Sequence, residues 1–540
     1  MTKNASFRAA LFLLTLILTV CANAQAQDAK TAEPLRLPVR HFRVLGNTLL
    51  PPARIDAILE SFKGERSLVE LNDAASAVQA LYRQAGYGAV IAYLPPQSGV
   101  DGEATIAVVE ARIGRVVVLG NRQFSAANIR RSLPLLVEGQ TPQVQQLDAQ
   151  IQLANESPAK QVAVTLEPGQ QPGEVDARLS VSEQPTSRWS LNADNTGNAQ
   201  TGRARAGLGY QNAALWDLDH QLMLQAQTSP EQVNRVKVFS GSYRIPFYRQ
   251  SLVLDAFGAY SNVDGGTTAT AAGAVQFSGR GRVLGLRLTG LLPHLGELDQ
   301  RLSLGLDRRA YLNNCAIANL PDGACGAAGE SLMVQPLTIE YTLRHGGELP
   351  FSAHIAISRN LGLGGRYADQ TAFDAVRPGA SMNFTVLRFG GSLNAALPRD
   401  WRVQARLDGQ MGNSGLVPGE QFGLAGSTAV RGYGEREITG DRGAVASLEL
   451  LGPELGTAIG DAVQGLRLLA FIDAGKVWNR LGTPCLNAQT TCMLSSLGGG
   501  LRLAAGGRQL RLDLAQAMKA TALTDRRDLR LHVQASYTFQ

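Results

Sequence analysis

The sequence predicts two small α+β domains followed by an all-β domain that crosses a membrane as a sixteen-stranded antiparallel barrel. Two observations lead to this prediction. A stretch near the N-terminus recurs once, at an offset of 74 residues, as from Gly46 to Gly120. From about residue 186 onward, helical spacing of apolar residues gives way to short segments in which apolar and polar residues alternate. Such alternation is typical of strands with one apolar and one polar face.

The first 24 residues have the features of a secretory signal peptide. Lys3 and Arg8 precede an apolar run over residues 9–20, and Ala22-Asn23-Ala24 provides a cleavage site of small residues. No later stretch approaches the roughly 18–20 apolar residues that a transmembrane helix needs. The sequence therefore predicts an exported protein that enters a membrane only as a barrel.

Composition argues against nucleic acid as a partner. The chain has 51 Lys and Arg residues against 45 Asp and Glu residues, a net charge of +6. These charges are scattered, whereas a nucleic-acid-binding surface concentrates its Lys and Arg residues. The 58 glycines follow no collagen-like period, and this favours an all-β chain with many turns.

Four cysteines follow the predicted signal peptide, in two pairs that are close in sequence. Cys315 pairs with Cys325, and Cys485 pairs with Cys492, each within a polar predicted loop that contains no neighbouring histidine. In an exported protein, this arrangement predicts two local disulfides rather than a metal site.

Each copy of the repeat predicts the order β-α-α-β-β. The first strand, over residues 42–45 or 116–119, ends at a Gly-Asn turn. Apolar residues at helical spacing then predict two helices, and two alternating strands close each copy. The helices are marked by Ile55, Ile58, Leu59 and Phe62 and by Leu71, Ala75, Val78 and Tyr82 in the first copy, and by Ile129 and Leu133 and by Val144, Leu147 and Ile151 in the second. The closing strands are residues 89–94 and 105–109, and residues 162–166 and 175–181.

The region from residue 186 to 540 predicts sixteen strands. In the last one, every second residue from Leu529 to Phe539 is apolar, and the residues between them are polar or charged. A soluble sandwich does not usually place Arg and Asp on its inner face, whereas a membrane barrel with a wet lumen does. Tight turns alternate with long loops, as in outer-membrane barrels. The strands are predicted to start near Arg188, Arg203, His220, Arg235, Ser251, Val275, Gln300, Leu332, Ser352, Met382, Trp401, Ala444, Leu466, Ser496, Gln509 and Leu529.

Two motifs stand out within the barrel region. Val430-Arg431-Gly432-Tyr433 lies in a Gly-rich loop after the eleventh predicted strand, and Phe471-Ile472-Asp473-Ala474-Gly475 lies on the thirteenth. Alternation along that strand directs Phe471 and Asp473 toward the lumen and Ile472 toward lipid. Arg and Asp are natural partners for a buried bidentate ion pair, and a Gly-rich loop is able to carry Arg431 down to Asp473.

Together these features resemble the transporters of two-partner secretion, the haemolysin secretion/activation family of the outer-membrane insertase superfamily. The two β-α-α-β-β modules are similar to polypeptide-transport-associated (POTRA) domains. The resemblance covers nearly the whole mature chain. It implies that the loop inserts into the lumen and that Arg431 pairs with Asp473. Family members often carry an N-terminal helix that plugs the pore, but residues 25–37 show no helical pattern.

The resemblance also implies a function and a place in the cell. The protein is expected in the outer membrane of a Gram-negative bacterium, surrounded by lipid, as a monomer with its POTRA domains in the periplasm. Its partner is expected to be a TpsA-like, β-helical exoprotein, which docks unfolded on the POTRA domains and crosses the barrel without ATP. The expected boundaries are a signal peptide at 1–24, a linker at 25–37, POTRA-like domains at 38–112 and 113–184, and a barrel at 186–540 with an inserted loop at 413–443.

Other functions are less well supported by the sequence. The chain contains no G-x-x-x-x-G-K phosphate-binding loop, G-x-S-x-G elbow or H-E-x-x-H pair, so neither an enzyme nor a cofactor or metal is predicted. An outer-membrane insertase, which would open the same kind of barrel toward lipid, is the principal alternative. A diffusion porin is disfavoured because simple porins need no periplasmic docking modules.

Overall fold

The computed structural model describes residues 36–97, 102–199, 201–262, 264–270, 273–278, 280–312, 330–456, 460, 463 and 465–540. The predicted signal peptide, most of the linker, and Cys315 and Cys325 lie outside these residues. The chain divides into two compact units, Met1–Ala111 and Arg112–Gln540. Among the described residues, no helix combines the length and the apolar character needed to cross a membrane.

The first unit contains one small α+β domain. Its elements are β1 (Arg36–Val39), β2 (His41–Leu45), α1 (Pro52–Leu59), β3 (Gly64–Ser67), α2 (Leu68–Gln84), β4 (Val90–Tyr93) and β5 (Glu103–Glu110). The main sheet has the order β2-β5-β4, with β2 parallel and β4 antiparallel to β5. Both helices contribute to its core, through residues such as Ile55, Val78 and Tyr82. The sequence did not predict β1 and β3, which pair with each other, because four residues are too few to show a period.

The helix α2 begins at a capping box. The Ser67 hydroxyl accepts a hydrogen bond from the Glu70 backbone N–H, and the Ser67 N–H donates to the Glu70 carboxylate. Each bond satisfies a backbone donor that the first turn of a helix leaves unpaired. The bonds from Ser67 hold the pKa of Glu70 at about 2, below its usual range.

The second small domain repeats this architecture within the second unit. Its elements are β6 (Arg112–Leu119), α3 (Ala126–Ser132), α4 (Val144–Ala154), β7 (Lys160–Pro168) and β8 (Glu174–Glu183), and its sheet has the order β6-β8-β7. The Gly-Asn turn is the same in both copies. Gly46 and Gly120 have φ values of 84° and 85°, and a Cβ at either would collide with a carbonyl oxygen of the neighbouring strand. Glycine is therefore required at both positions.

The rest of the second unit forms a closed antiparallel barrel. Its elements are β9 (Ser187–Asp194), β10 (Arg205–Leu215), β11 (His220–Thr228), β12 (Val238–Phe247), β13 (Leu252–Ser261), β14 (Asp264–Thr270), β15 (Gly273–Ser278), β16 (Gly281–Leu295), β17 (Leu298–Tyr311), β18 (Leu332–Val334), β19 (Pro336–His345), β20 (Phe351–Asn360), α5 (Gln370–Val376), β21 (Thr385–Ala396), β22 (Arg402–Gly412), β23 (Phe422–Gly423), β24 (Thr439–Gly440), β25 (Arg442–Leu451), β26 (Arg467–Trp478), β27 (Thr491–Ala505), β28 (Arg508–Ala517) and β29 (Leu529–Phe539). The pairs β14–β15 and β23–β24 lie outside the barrel sheet. With β18 and β19 taken as one strand, the described residues give sixteen barrel strands, closed by the pairing of β29 with β9.

The predicted fold of α+β modules followed by a sixteen-stranded barrel is confirmed, with local differences in strand limits. The sixth strand was predicted to start near Val275, which lies in the hairpin β14–β15, whereas the barrel strand begins at Gly281. The error arose because a hairpin in a loop is built from strands as well. The fourteenth strand begins at Thr491, five residues before the predicted Ser496, and so extends further into its loop.

The barrel wall has an apolar outside and a more polar inside. On β26, Leu468 and Ile472 are 54% and 55% exposed, whereas Phe471 and Asp473 are 5% and 0% exposed. This is the alternation expected of a strand between lipid and a filled lumen. Connections of mostly a few residues lie at the end that carries the second small domain, and the longer ones lie at the opposite end.

The outward position of Ile472 gives a test of the barrel's orientation toward lipid. We expect Ile472→Arg to destabilise the folded barrel by about 2–4 kcal/mol, because a cation near the middle of a lipid-facing strand loses its hydration. Urea unfolding in lipid vesicles measures the change, and Ile472→Val is the matched control. Equal stability of the Arg and Val variants would contradict a lipid-facing Ile472.

Candidate functional site

The chain between β22 and β25 folds back into the barrel, and we call residues 413–441 the lumenal loop. The pair β23–β24 joins its two limbs near the base. Leu424, Val430 and Tyr433 are fully buried. They pack against lumen-facing residues of four barrel strands, namely Val445, Val477, Leu494 and Ala517. The loop is therefore held against the wall by its own apolar core.

The Arg431 guanidinium forms a bidentate ion pair with the Asp473 carboxylate on β26. Its Nε lies 2.7 Å from Oδ2 and its Nη2 lies 2.8 Å from Oδ1. The Arg431 backbone N–H also donates to Oδ2, at 3.2 Å. Arg431 is 2% exposed and Asp473 0%, so the charges of both depend on each other rather than on water.

Further charged groups surround this pair. The Nη1 of Arg431 lies 2.5 Å from Glu449 Oε1 on β25 and 3.3 Å from Asp513 Oδ2 on β28. Arg502 and Arg511 in turn contact Asp513, at 2.6 Å and 2.8 Å. We call this set the six-charge cluster: Arg431, Arg502, Arg511, Glu449, Asp473 and Asp513. Its three cations and three anions balance, which limits the free-energy cost of burying them together.

Neutral groups fix the geometry of the pair. Ser447 Oγ donates to Asp473 Oδ1 at 2.7 Å, and Ser496 Oγ lies 3.4 Å from Oδ2. The Arg431 Cζ lies 3.4 Å from the centre of the Phe471 ring. Such stacking of a guanidinium on an aromatic face favours a cation that has lost its water. Phe471 and Asp473 thus hold the same side chain from one strand.

The neighbours of Arg431 contact other strands. The Gly432 N–H donates to His532 Nε2 on β29 at 3.0 Å, and its φ of 94° lies in the region that favours glycine. The Tyr433 hydroxyl lies 3.0 Å from the carbonyl oxygens of Ser495 and Lys519. Gly475 lies where a Cβ would collide with Leu424 of the loop. The small residue at 475 therefore lets the loop approach β26.

Of the two predicted disulfides, one lies within the described residues. Cys485, in the loop between β26 and β27, forms a disulfide with Cys492, which was predicted in a loop but lies at the start of β27. Cys492 packs with the apolar core of the lumenal loop. Cys315 and Cys325 lie outside the described residues.

Several residues of this site were not identified from the sequence. Glu449, Arg502, Asp513 and His532 all lie on strands where alternation directs them inward, and that was the only signal they carried. Alternation shows which face a residue takes, but it does not show which of many inward charges meet around one side chain.

A second polar contact joins the second small domain to the barrel. The Lys160 ammonium lies 2.7 Å from Asp219 Oδ2, in the turn between β10 and β11, and 2.7 Å from Asn128 Oδ1. The Tyr248 hydroxyl donates to the same Asp219 oxygen at 2.6 Å. Burial lowers the pKa of Lys160, while Asp219 opposes that shift. The contact fixes this domain at one end of the lumen.

Comparison with known proteins identifies the family. Residues 173–503, more than half of the chain, match the family described as haemolysin secretion/activation protein ShlB/FhaC/HecB. The chain belongs to this family. Residues 37–111 match the POTRA domain of ShlB type. The resemblance found from the sequence is thus confirmed, and the barrel lies in the outer membrane with the POTRA domains in the periplasm.

Individual relatives are distant but cover nearly all of the chain. The heme/hemopexin transporter protein HuxB of Haemophilus influenzae (strain 86-028NP) is 20% identical over 513 residues, 92% of this chain and 87% of that protein. CdiB from Escherichia coli has a TM-score of 0.77 at 17% identity, with complete coverage of both chains. BamA from Haemophilus ducreyi, lacking POTRA domains 1–3, has a TM-score of 0.51 at 15% identity, covering 93% of this chain and all of that one. These structures show a shared fold.

The buried ion pair gives a testable prediction for the position of the loop. We expect Asp473→Asn to destabilise the barrel with its loop inserted by about 3–5 kcal/mol, because Arg431 remains buried without its main partner. Urea unfolding in vesicles measures stability, and protease cleavage of the lumenal loop measures its release.

Asp408→Asn is the matched control for this change. Asp408 lies on the lumenal side of β22, partly exposed and 3.5 Å from Arg406, and an exposed pair contributes less than about 1 kcal/mol. If the two variants were equally stable and equally resistant to protease, the bidentate pair would not hold the loop.

Proposed function

We propose that this protein is the outer-membrane transporter of a two-partner secretion system and that it exports an unfolded exoprotein through the barrel. The match of more than half of the chain to the haemolysin secretion/activation family carries this proposal. The polar lumen supports it, since a passing chain in extended form needs a wet path for its backbone N–H and C=O groups. The cargo is a TpsA-like protein of β-helical fold, and the transporter acts as a monomer in lipid.

We infer that the cargo docks by adding a strand to a POTRA sheet. A candidate edge is β6, on the outer side of the sheet β6-β8-β7. There, the Val116 N–H donates to Glu138 Oε1 at 3.2 Å, and the Val116 carbonyl accepts from Arg130 Nη2. Arg130 and Glu138 are about half exposed and lie 3.5 Å apart. These two side chains bond to backbone groups of β6 that a neighbouring strand would otherwise pair with. They can move into solvent when a strand of the cargo pairs with β6.

A cavity beside this edge provides room for the side chains of such a strand. It has a volume of about 360 Å³ and is lined by Leu133, Leu136, Val137 and Leu179 together with Arg130 and Glu138. Alternate residues of an added strand point toward the same face of the sheet. An apolar residue in the cargo strand is therefore able to enter this cavity while its backbone pairs with β6.

The cavity gives a prediction for docking. We expect Val137→Glu to weaken binding of the unfolded exoprotein by about tenfold, the effect of placing an unpaired charge in an apolar contact. Binding is measured with the purified full-length transporter in detergent. Val144→Glu is the control, because Val144 is similarly exposed, at 39% against 41% for Val137, and begins helix α4 of the same domain. Equal binding by the two variants would place the docking surface elsewhere.

Transport requires an energy source other than nucleotide hydrolysis or another enzymatic step. The periplasm supplies no ATP, and the sequence contains no phosphate-binding loop of the G-x-x-x-x-G-K type. We infer that folding of the exoprotein at the cell surface prevents its return and so drives export. The transporter then needs no cofactor. Its task is to bind the exoprotein, to open its lumen and to conduct the exoprotein through it.

Opening requires the lumenal loop to move, since it packs across the inner wall. The six-charge cluster holds that loop in place, so its stability also governs secretion. We expect Arg431→Ala to lower export of the exoprotein to the medium at least about tenfold and to change the single-channel conductance, because the loop loses its main ion pair. Arg431→Lys keeps the charge but not the two-pronged geometry, and an intermediate effect is expected.

Export is measured in cells that lack the protein or carry the wild type or either variant. Exoprotein in the medium and in the periplasm is quantified beside the levels of other outer-membrane barrels. Loss of exoprotein from the medium with normal barrel levels supports secretion. Depleted barrels with unchanged exoprotein would instead favour an insertase. If Arg431→Ala left both export and conductance unchanged, the ion pair would have no part in the function.

A further inference from the structure

A second buried charge of the lumenal loop, Glu420, lies outside the six-charge cluster. Its side chain is 1% exposed. The carboxylate accepts hydrogen bonds from Arg309 Nη1 at 3.0 Å, from Arg388 Nη2 at 3.2 Å and from the Tyr311 hydroxyl at 3.0 Å. Gln410 Nε2 donates to the Glu420 backbone oxygen at 2.9 Å. The loop thus places one carboxylate between two arginines of the wall.

The two arginines form what we call the basic site: Arg309 on β17 and Arg388 on β21. Arg309 has a second carboxylate partner, Asp307, at 2.5 Å. Arg388 contacts the neutral side chains of Gln410 and Ser358, and in the described part of the chain its ion pair is with Glu420. When Glu420 leaves, Arg388 therefore loses its carboxylate partner while it stays in a confined lumen.

The basic site opens onto a cavity in the lumen. This cavity has a volume of about 530 Å³, and its charged lining residues are five arginines and four carboxylates: Arg287, Arg309, Arg388, Arg406 and Arg436, and Asp307, Asp408, Glu420 and Glu435. Arg309 and Arg388 are 25% and 32% exposed, so their guanidinium groups remain accessible on this side. The basic site already holds one carboxylate, that of Glu420, and arginine binds carboxylates with directed pairs of N–H donors.

Besides the pair of Asp441 with Arg377, which lies off the barrel strands, the described loop residues make two charged contacts with barrel strands. These two contacts are opposite in sign and lie on different arcs of the wall. Arg431 contacts carboxylates on strands twelve, thirteen and fifteen, which are β25, β26 and β28. Glu420 contacts arginines on strands seven and ten, which are β17 and β21. When the loop withdraws, it therefore leaves an acidic surface on one arc and the basic site on the other.

We propose that Glu420 covers the basic site in the resting protein, and that Arg309 and Arg388 bind carboxylate side chains of the exported polypeptide once the loop has moved. This proposal rests on the export function proposed above. The reason is electrostatic, because a guanidinium without its partner in a narrow lumen is stabilised by the next carboxylate that arrives. Acidic residues spaced along an extended chain exchange for Glu420 one after another as that chain passes.

The test uses the purified full-length protein in planar lipid bilayers. A short peptide of alternating Glu and Ser is added from the POTRA side, and its ability to block the current is compared with that of the same peptide carrying Gln in place of Glu. In Glu420→Ala, the Glu peptide is expected to block at a concentration about tenfold lower than in the wild type. The Gln peptide is expected to block both equally.

Two further variants make the result specific to the basic site. Adding Arg388→Gln to Glu420→Ala is expected to return the blocking concentration of the Glu peptide to the wild-type value. Glu435→Ala is the matched control, because Glu435 lies on the same loop and lines the same cavity and is not a partner of Arg309 or Arg388 among the ion pairs of the described residues. It is expected to leave the block unchanged. If Glu420→Ala does not fold, as judged by urea unfolding, Glu420→Gln replaces it in the test, because this change also removes the carboxylate that covers the basic site.

Two results would overturn the proposal. One is equal block by the Glu peptide in Glu420→Ala and Glu435→Ala, and the other is unchanged block when Arg388→Gln is added. Measuring export by the wild type in cells distinguishes failure of the basic-site proposal from failure of the proposed export function. Normal export together with absent peptide block would reject the basic site alone, whereas absence of export would reject the transporter itself.

Discussion

The bidentate contact of Arg431 with Asp473 is the interaction on which the interior of this protein depends. A closed barrel leaves its lumen to be filled by side chains, water or a loop, and here a loop is inserted. Arg431 and Asp473 are almost fully buried, so neither is stable there without the other. The positions of Phe471, Ser447 and Gly475 follow from this contact, because the first stacks on the guanidinium, the second orients the carboxylate and the third makes room for the loop.

The fold could be predicted from the sequence because its signals are periodic and repeated. A strand between lipid and a polar lumen must alternate, and a repeat at a fixed offset shows two copies of one module. The Gly-Asn turns at Gly46 and Gly120 carried that repeat, and the structure gives the reason, since a Cβ at either glycine would collide with a neighbouring strand. Strand limits were less predictable near loops. The hairpin β14–β15 has the same kind of local pattern as the barrel strand that follows it.

The candidate site could be predicted only in part, because the alternation along one strand does not show which residues of other strands lie nearby. Alternation gives the face of each residue, so Asp473 was expected to point inward, and the Gly-rich loop was expected to be able to reach it. Which inward charges meet depends on the register of strands far apart in sequence and on the path of a loop that has no period. Glu449 and Asp513 contact the same guanidinium although 64 positions separate them in the chain. Lys160 and Asp219 likewise meet across a domain junction.

The sign of the charges on the loop bears on how the loop is held, and on what would replace it if it withdraws during export as proposed above. The six-charge cluster is balanced, and Glu420 and Asp307 together balance Arg309 and Arg388. The protein with its loop inserted therefore contains little unpaired charge in these two places. Withdrawal of the loop separates both sets at once and leaves unpaired charges of opposite sign on two arcs of the wall. Water stabilises these charges incompletely in a narrow lumen. A polypeptide that carries both acidic and basic side chains can replace the loop on both arcs, and we infer that such replacement makes the open state accessible during export.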